Sequence, residues 1–219
     1  MIKTENLFVR FPDGSGIRYC DMRFETGRSY ALLGASGVGK STFLNLISGL
    51  LTPAEGTVTV DDAPITALSR KARDLFRIRE VGYVFQDFKL LEDMTVQDNI
   101  NVLRLEGVDT SGMDDLLDRL GILKLKRRRV NRLSGGEKQR VAIARALIKH
   151  PAIILADEPT GNLNYETGVG VVRTLLDNAG SGTLIAVTHD ERLCSMFDET
   201  MDMNALARWT SGGEAMAHA

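Results

Sequence analysis

The stretch Ser29-Tyr30-Ala31-Leu32-Leu33-Gly34-Ala35-Ser36-Gly37-Val38-Gly39-Lys40-Ser41-Thr42 decides the fold. Ser29 to Leu33 is a short apolar run entering a glycine-rich turn, and Phe43, Leu44, Leu46, Ile47 and Leu50 then recur at helical spacing. That pattern predicts strand, loop, helix. Gly34 to Thr42 fits the phosphate-loop pattern G-x-x-x-x-G-K-[ST], and a strand before with a helix after is the context the pattern requires. The glycines let successive backbone N–H groups curl around phosphate oxygens, Lys40 reaches the β and γ oxygens of a nucleotide, and the Ser41 hydroxyl can ligate magnesium.

Two further apolar runs, Ile153 to Ala156 and Thr183 to Val187, lack polar alternation, as do strands of a parallel sheet covered on both faces. Glu166 to Asp177 between them has helical capacity, so the layout alternates α and β. Asp157-Glu158 ends the first run. An aspartate there can hold a metal, usually through water, and the adjacent glutamate is placed to polarise an attacking water. The alternative, for the pair taken alone, is two helix-capping acids before Pro159-Thr160. Upstream, Leu7 to Arg10, Arg18 to Phe24 and Thr57 to Val60 predict antiparallel strands, with turns at Pro12-Asp13-Gly14 and Pro53 to Gly56. From about Thr95 to Arg132 the pattern is helical, with Leu116, Leu117 and Leu120 on one face and Gly121 as a C-terminal stop.

The third signal is Leu133-Ser134-Gly135-Gly136-Glu137, followed by a helical run to Ala146. Ser134 and the glycines open a helix, whose N–H groups and dipole favour an anion; within one subunit they could merely be a cap. The phosphate loop, this sequence and the acidic strand end, in that order, resemble the nucleotide-binding subunit of an ATP-binding-cassette (ABC) transporter, from about Thr4 to Asp202. The resemblance implies an α/β P-loop NTPase with a RecA-like parallel-sheet core, an antiparallel β subdomain and a helical subdomain inserted at about 94–132. It places the ATPase domain at 1–204 and leaves 205–219 as a short tail, glycine-rich and expected to fray.

The same resemblance implies ATP hydrolysis, with ATP and magnesium as cofactors. ATP would lie against Gly34, Ala35, Ser36, Gly37, Val38, Gly39, Lys40, Ser41 and Thr42. Phe11 would stack on the adenine, where the family more often has tyrosine, with Tyr19 a less favoured substitute. Ser41, Gln86 and Asp157 are implied as the magnesium set, and Glu158, Gln86 and His189 as the catalytic set. His189 matches the switch histidine that contacts the γ-phosphate. Gln86, in Tyr83-Val84-Phe85-Gln86-Asp87, matches the glutamine that reaches magnesium and the attacking water. Ser134, Gly135, Gly136 and Glu137 are implied to cover the γ-phosphate on the opposite subunit of a head-to-tail homodimer, with ATP at the interface. One position departs from the pattern. The loop Gly161-Asn162-Leu163-Asn164 carries Asn164 where aspartate is usual, which keeps capping ability and brings no charge.

At 219 residues and 43% hydrophobic content, the chain can bury one large core or one core with an appended lobe. No apolar run approaches the roughly 18 residues that span a bilayer, and Met1-Ile2-Lys3-Thr4 lacks the apolar stretch of a signal peptide. The chain is therefore expected to be soluble and cytoplasmic, peripheral on the inner face of the cell membrane through a permease. A net charge of −2 gives no overall attraction to nucleic acid, and the basic run Lys124, Lys126, Arg127, Arg128, Arg129 and Arg132 has no interleaved aromatics. Solvation or contact with lipid headgroups is expected of it, and no nucleic-acid partner. Cys20 and Cys194 are far apart, outside any metal-ligand spacing, and read as reduced packing residues.

An ATPase cassette without a fused membrane segment implies a separate permease chain, and hence membrane contact through that partner. Phe85-Gln86-Asp87-Phe88-Lys89-Leu90-Leu91, Thr95-Val96-Gln97-Asp98-Asn99-Ile100 and Leu155 to Leu163 are similar to the type VII group, which includes macrolide-exporter, lipoprotein-releasing, haem-exporter and cell-division ATPases. The expected role is to power an exporter or mechanotransmission system; the alternative is a cell-division ATPase regulating cell-wall hydrolases through a membrane partner. Chromosome-maintenance ATPases of this superfamily carry a long coiled coil between Gln86 and Ser134, for which the chain has no room, and translation factors carry two cassettes where this chain has one phosphate loop.

Overall fold

The computed structural model describes residues 1–161 and 163–210. The chain opens with β1 (Ile2–Arg10), β2 (Gly16–Tyr19), β3 (Met22–Phe24) and β4 (Ser29–Leu33), then α1 (Lys40–Ile47), β5 (Glu55–Val60), β6 (Ala63–Pro64), α2 (Arg70–Glu80) and β7 (Val81–Val84). The middle holds α3 (Val96–Asn101), α4 (Met113–Arg119) and α5 (Gly135–Leu147). After it come β8 (Ile153–Asp157), α6 (Tyr165–Asn178), β9 (Thr183–Thr188), α7 (Glu191–Cys194), β10 (Glu199–Asp202), α8 (Met203–Leu206) and β11 (Ala207–Thr210).

Two sheets result. Strands β10, β4, β9, β8 and β7 form a parallel sheet in that order, and β11, β2, β1, β5 and β6 form an antiparallel one, with β3 also pairing β1. The unbroken apolar runs follow from burial of both faces of the parallel sheet. Alternate residues serve different cores: Leu32, Ile153, Leu155, Ile185 and Val187 pack toward the antiparallel sheet and α1, while Ala31, Ile154, Ala156, Leu184 and Ala186 pack toward α5, α6 and the helical lobe. Leu116, Leu117 and Leu120 are all buried in this second core, and Gly121 follows α4 at φ +67°, the left-handed stop expected of it.

Helix starts follow local chemistry. Ser69 caps α2, Thr95 and Asp98 form a capping box on α3, Ser134 and Glu137 form one on α5, and Asn164 accepts from the Thr167 N–H to cap α6.

Several expectations need correction. The run Arg18 to Phe24 is two strands, because the chain turns at Cys20-Asp21 and β2 and β3 meet different parts of β1. Cys20 is exposed in that turn and is no core residue; Cys194 is buried as expected. Leu50 lies beyond the end of α1 and is half exposed. The segment 95–132 is less regular than its pattern, with 3₁₀ turns at Val102–Glu106, Leu123–Leu125 and Val130–Arg132. The tail does not begin at Ala205: α8 ends at Leu206, and Ala207 to Thr210 pair with β2 in the antiparallel sheet, so the folded unit extends at least to Thr210. Residues 211–219 lie outside the described residues.

Gly56 sits at φ +87° against an irregularity in β1 between Glu5 and Phe8, and a Cβ there would lie 2.4 Å from both the Glu5 and Asn6 carbonyl oxygens. Backbone cannot swing aside as a side chain can. Gly56→Ala should therefore cost about 2–4 kcal/mol, strain plus clash, whereas Gly121→Ala, equally left-handed but facing open space, should cost only about 1 kcal/mol. Urea unfolding of the two variants beside the wild type measures the difference.

Candidate functional site

The parallel register gathers the site. Leu33 is opposite Thr188, Asp157 is opposite Val187, and Val84 is opposite Ala156, so the residues just past these strand ends emerge in one row. They are the phosphate loop after β4, His189 after β9, Glu158 after β8 and Gln86 beyond β7. Ligands of open parallel sheets bind at such carboxyl ends.

A cavity of about 580 Å³ lies over this row, lined by Ser36, Gly37, Gly39, Lys40, Ser41, Thr42, Gln86, Glu158 and His189 from the core, and by Phe11 and Trp209 from the antiparallel sheet. Gly39 precedes α1 at φ +104°, and no side chain caps that helix, so its first N–H groups face the cavity. The left-handed turn and the close fit both demand glycine: a Cβ on Gly39 would meet Ile17 Cδ1 at 2.2 Å and the Tyr19 hydroxyl at 2.8 Å.

Lys40 is buried. Its ammonium donates to the Gly34 and Ala35 carbonyls at 2.7 and 3.0 Å and lies 3.3 Å from Glu158 Oε1. Glu158 is itself mostly buried, adopts a left-handed φ of +45°, anchors its N–H on the Val187 carbonyl, and places its other carboxylate oxygen against His189 Nδ1. A non-glycine residue held in that conformation is strained, a feature that concentrates at functional positions. The Ser41 hydroxyl donates to Asp157 Oδ1 at 2.9 Å. Burial raises the Asp157 carboxyl above its usual range and the neighbouring Glu158 charge adds to this, against the Ser41 hydrogen bond and the Lys40 charge.

Ser41 and Asp157 thus present two oxygen donors within hydrogen-bond distance of each other, with the Gln86 amide lining the same cavity. Among the described residues no group of three or more His, Cys, Asp or Glu side chains could hold a metal by itself. One hydroxyl and one carboxylate are a donor set for a hard cation that completes its shell with water and phosphate oxygens.

Of the two aromatic candidates, Phe11 lines the cavity. Tyr19 is buried, donates its hydroxyl to the Gly39 carbonyl at 2.8 Å and packs on Phe43; burial pushes its phenol pKa up. Gly34, Ala35 and Val38 shape the loop without lining the cavity. Ser134, Gly135, Gly136 and Glu137 are not brought to this cavity within the chain; they form the start of α5, with Gly135 and Gly136 beside Leu163 and Thr167. Trp209 has no sequence signal of its own, because Ala207 to Thr210 reads as tail and becomes a strand only against β2. Nor does the sequence single out Arg145, whose guanidinium donates to the Lys89 and Phe88 carbonyls at 2.7 and 2.8 Å, or Asn99, fully buried, whose side chain ties the Leu91 backbone N–H and carbonyl to the start of α3.

Comparison with known proteins agrees with this geometry. The family model for ABC transporters matches residues 17–161. The uncharacterized ABC transporter ATP-binding protein Rv0986 of Mycobacterium tuberculosis is 41% identical over 93% of this chain and 86% of its own length. The lipoprotein-releasing system ATP-binding protein LolD of Nitratidesulfovibrio vulgaris is 39% identical over 88% of each chain. Among solved structures, a dimeric post-hydrolysis state of the ATP-binding cassette MJ0796 bound to ADP and Pi superposes with a TM-score of 0.79 at 30% identity, over 93% of this chain and 95% of that one. The chain belongs to the ABC transporter family, as an ATP-binding subunit with the ATPase activity of that family.

Removing the charge of Glu158 while keeping its shape should separate chemistry from binding. Glu158→Gln is expected to lower ATP turnover at least about 100-fold, the scale of a lost general base, while ATP affinity is retained. Hydrolysis at the wild-type rate in a phosphate-release assay contradicts the role.

Proposed function

We propose that ATP binds in the cavity at the ends of the parallel strands and is hydrolysed there to power a separate membrane permease of the type VII group. The carrying observation is the convergence of Lys40, Ser41, Gln86, Glu158 and His189 on one cavity, with Asp157 hydrogen-bonded to Ser41 beside it. The phosphate-loop N–H groups and Lys40 hold the β and γ phosphates. A γ-phosphate competes with Glu158 for the Lys40 ammonium, which frees the Glu158 carboxylate to accept the proton of the attacking water. His189, in contact with Glu158, is placed to touch the γ-phosphate. Ser41 and Asp157, with Gln86, would hold magnesium, whose chemistry when bound is to neutralise charge developing on the phosphates.

Ser134 to Glu137 act on the second copy. This helix start is exposed or half-exposed and lies outside its own chain's cavity, which supports a head-to-tail homodimer with ATP at the interface. Phe11 is the base-stacking aromatic, and Asn164, in place of aspartate, serves as the α6 cap. The Nitratidesulfovibrio relative is named for lipoprotein release, which favours an exporter or mechanotransmission role over cell-division regulation. No helix among the described residues is long and apolar enough to cross a membrane. We place the subunit on the cytoplasmic face, attached through its permease.

The permease surface is a groove of about 600 Å³ between the core and the helical lobe, lined by Leu50, Ile78, Phe85, Val102, Leu103 and Arg145 among others. Leu50, Leu91 and Leu105 are exposed in or near the lobe. The basic run is consistent with a solvated face: Lys124, Arg127, Arg128, Arg129 and Arg132 are exposed, and Lys126 pairs with Asp114.

Two outcomes follow. Glu158→Gln should sediment as a monomer without nucleotide and as a dimer with magnesium and ATP; a dimer indifferent to ATP contradicts the interface. Leu50→Asp should bind ATP normally and fail to co-purify with the permease, because a carboxylate against an apolar helix loses several kcal/mol of desolvation. Retained co-purification puts the docking surface elsewhere.

A further inference from the structure

Trp209, the sole tryptophan of the chain, projects into the nucleotide cavity from the last described strand. Its position follows from register. Trp209 is opposite Ile17 on β2, and Ile17 is opposite Val9 on β1, so these residues share a face of the sheet. Two residues along their strands, Ala207 and Tyr19 lie on the same face and are buried. Ile17 and Tyr19 meet Gly39 of the phosphate loop, so this face is the one turned toward bound phosphate. Phe11 and Trp209 continue it over the cavity mouth, where their rings stack with centroids 5.4 Å apart and planes 18° apart.

We propose that Trp209 is a second base-contacting aromatic, and that the nucleobase stacks against a Phe11–Trp209 pair rather than on Phe11 alone. This rests on the reading of the cavity as the ATP site. A ring sandwiched between two others needs about 7 Å between them, two contacts of roughly 3.5 Å, so the observed pair is too close to admit a base between its rings. The base therefore lies against the outside of the pair from the cavity. Trp209 is 51% exposed, which leaves half of the indole surface free to be covered, and an indole offers more π surface to a purine than the Phe11 ring does. A ring that merely sealed the sheet edge would affect folding and not nucleotide affinity.

Because no other tryptophan is present, indole emission, excited selectively over the four tyrosines, reports this ring alone. Titration of the intact chain with ATP, in parallel with calorimetry, should change Trp209 emission saturably with the calorimetric Kd. Inorganic triphosphate, which has no base, should bind and leave the emission nearly unchanged. Trp209→Ala should weaken ATP binding about tenfold, the scale of one lost base–aromatic contact, raise KM in the same proportion with kcat little altered, and leave triphosphate affinity intact; Trp209→Phe should recover most of the loss. ATP binding seen by calorimetry with no emission change, or triphosphate affinity falling in step with ATP in Trp209→Ala, overturns the assignment and leaves the ATPase reading standing. A wild-type chain that binds no ATP overturns both.

Discussion

Parallel pairing of β4, β9 and β8 is the constraint on which the rest of the structure depends. Three segments, the first more than a hundred residues from the other two, must end level with one another, so that Gly34, His189 and Glu158 emerge side by side. A slip of one residue in any strand would exchange its two faces between the two cores and move the cavity residue that follows it by a strand step. The runs Ile153 to Asp157 and Thr183 to Thr188, apolar on both faces, resist such a slip because each face has its own complementary packing. The same burial that stabilises the sheet thus aligns the site. Strain is tolerated at Glu158 because its N–H is held by Val187, on the strand that also carries His189.

The antiparallel sheet acts on the site by contact rather than by chemistry. Ile17 and Tyr19 press on Gly39, which fixes the distance between the phosphate loop and the aromatic pair above it. The edge strand β11 completes that face, and its removal would uncover β2 and leave Phe11 without its stacking partner.

The chemistry-bearing loops were legible because their glycine spacing and flanking apolar runs are local. So were the parallel strands, whose continuous hydrophobicity needs no partner to be recognised, and Asn164, which caps α6 as its side chain allows. Less was legible where partners decide. Ala207 to Thr210 carries no alternation strong enough to announce a strand and exists only by pairing with β2. The helix α2 buries no residue fully and is dominated by charged side chains, and only Ser69 as a cap marks its start. Trp209 lies on that strand, and Leu50 keeps the apolar spacing of α1 although Gly49, at φ +69°, turns the chain just past the helix end. Arg145 and Asn99 were unremarked since their partners are backbone carbonyls and amides, which sequence does not display.

The grip of Arg145 has a consequence for how signals combine. Its guanidinium, half-buried and held to the carbonyls of Phe88 and Lys89, joins the loop after Gln86 to α5, and about 16 Å up the same rigid helix stands Ser134. In the head-to-tail pairing proposed above, Ser134 would face the partner's nucleotide while Gln86 lines the chain's own cavity. Both inputs would then arrive at one short loop, one through the chain and one through the helix. In that pairing such wiring would act as a coincidence detector: the loop would settle only with both sites filled, so that two ATP molecules would count as a single stroke.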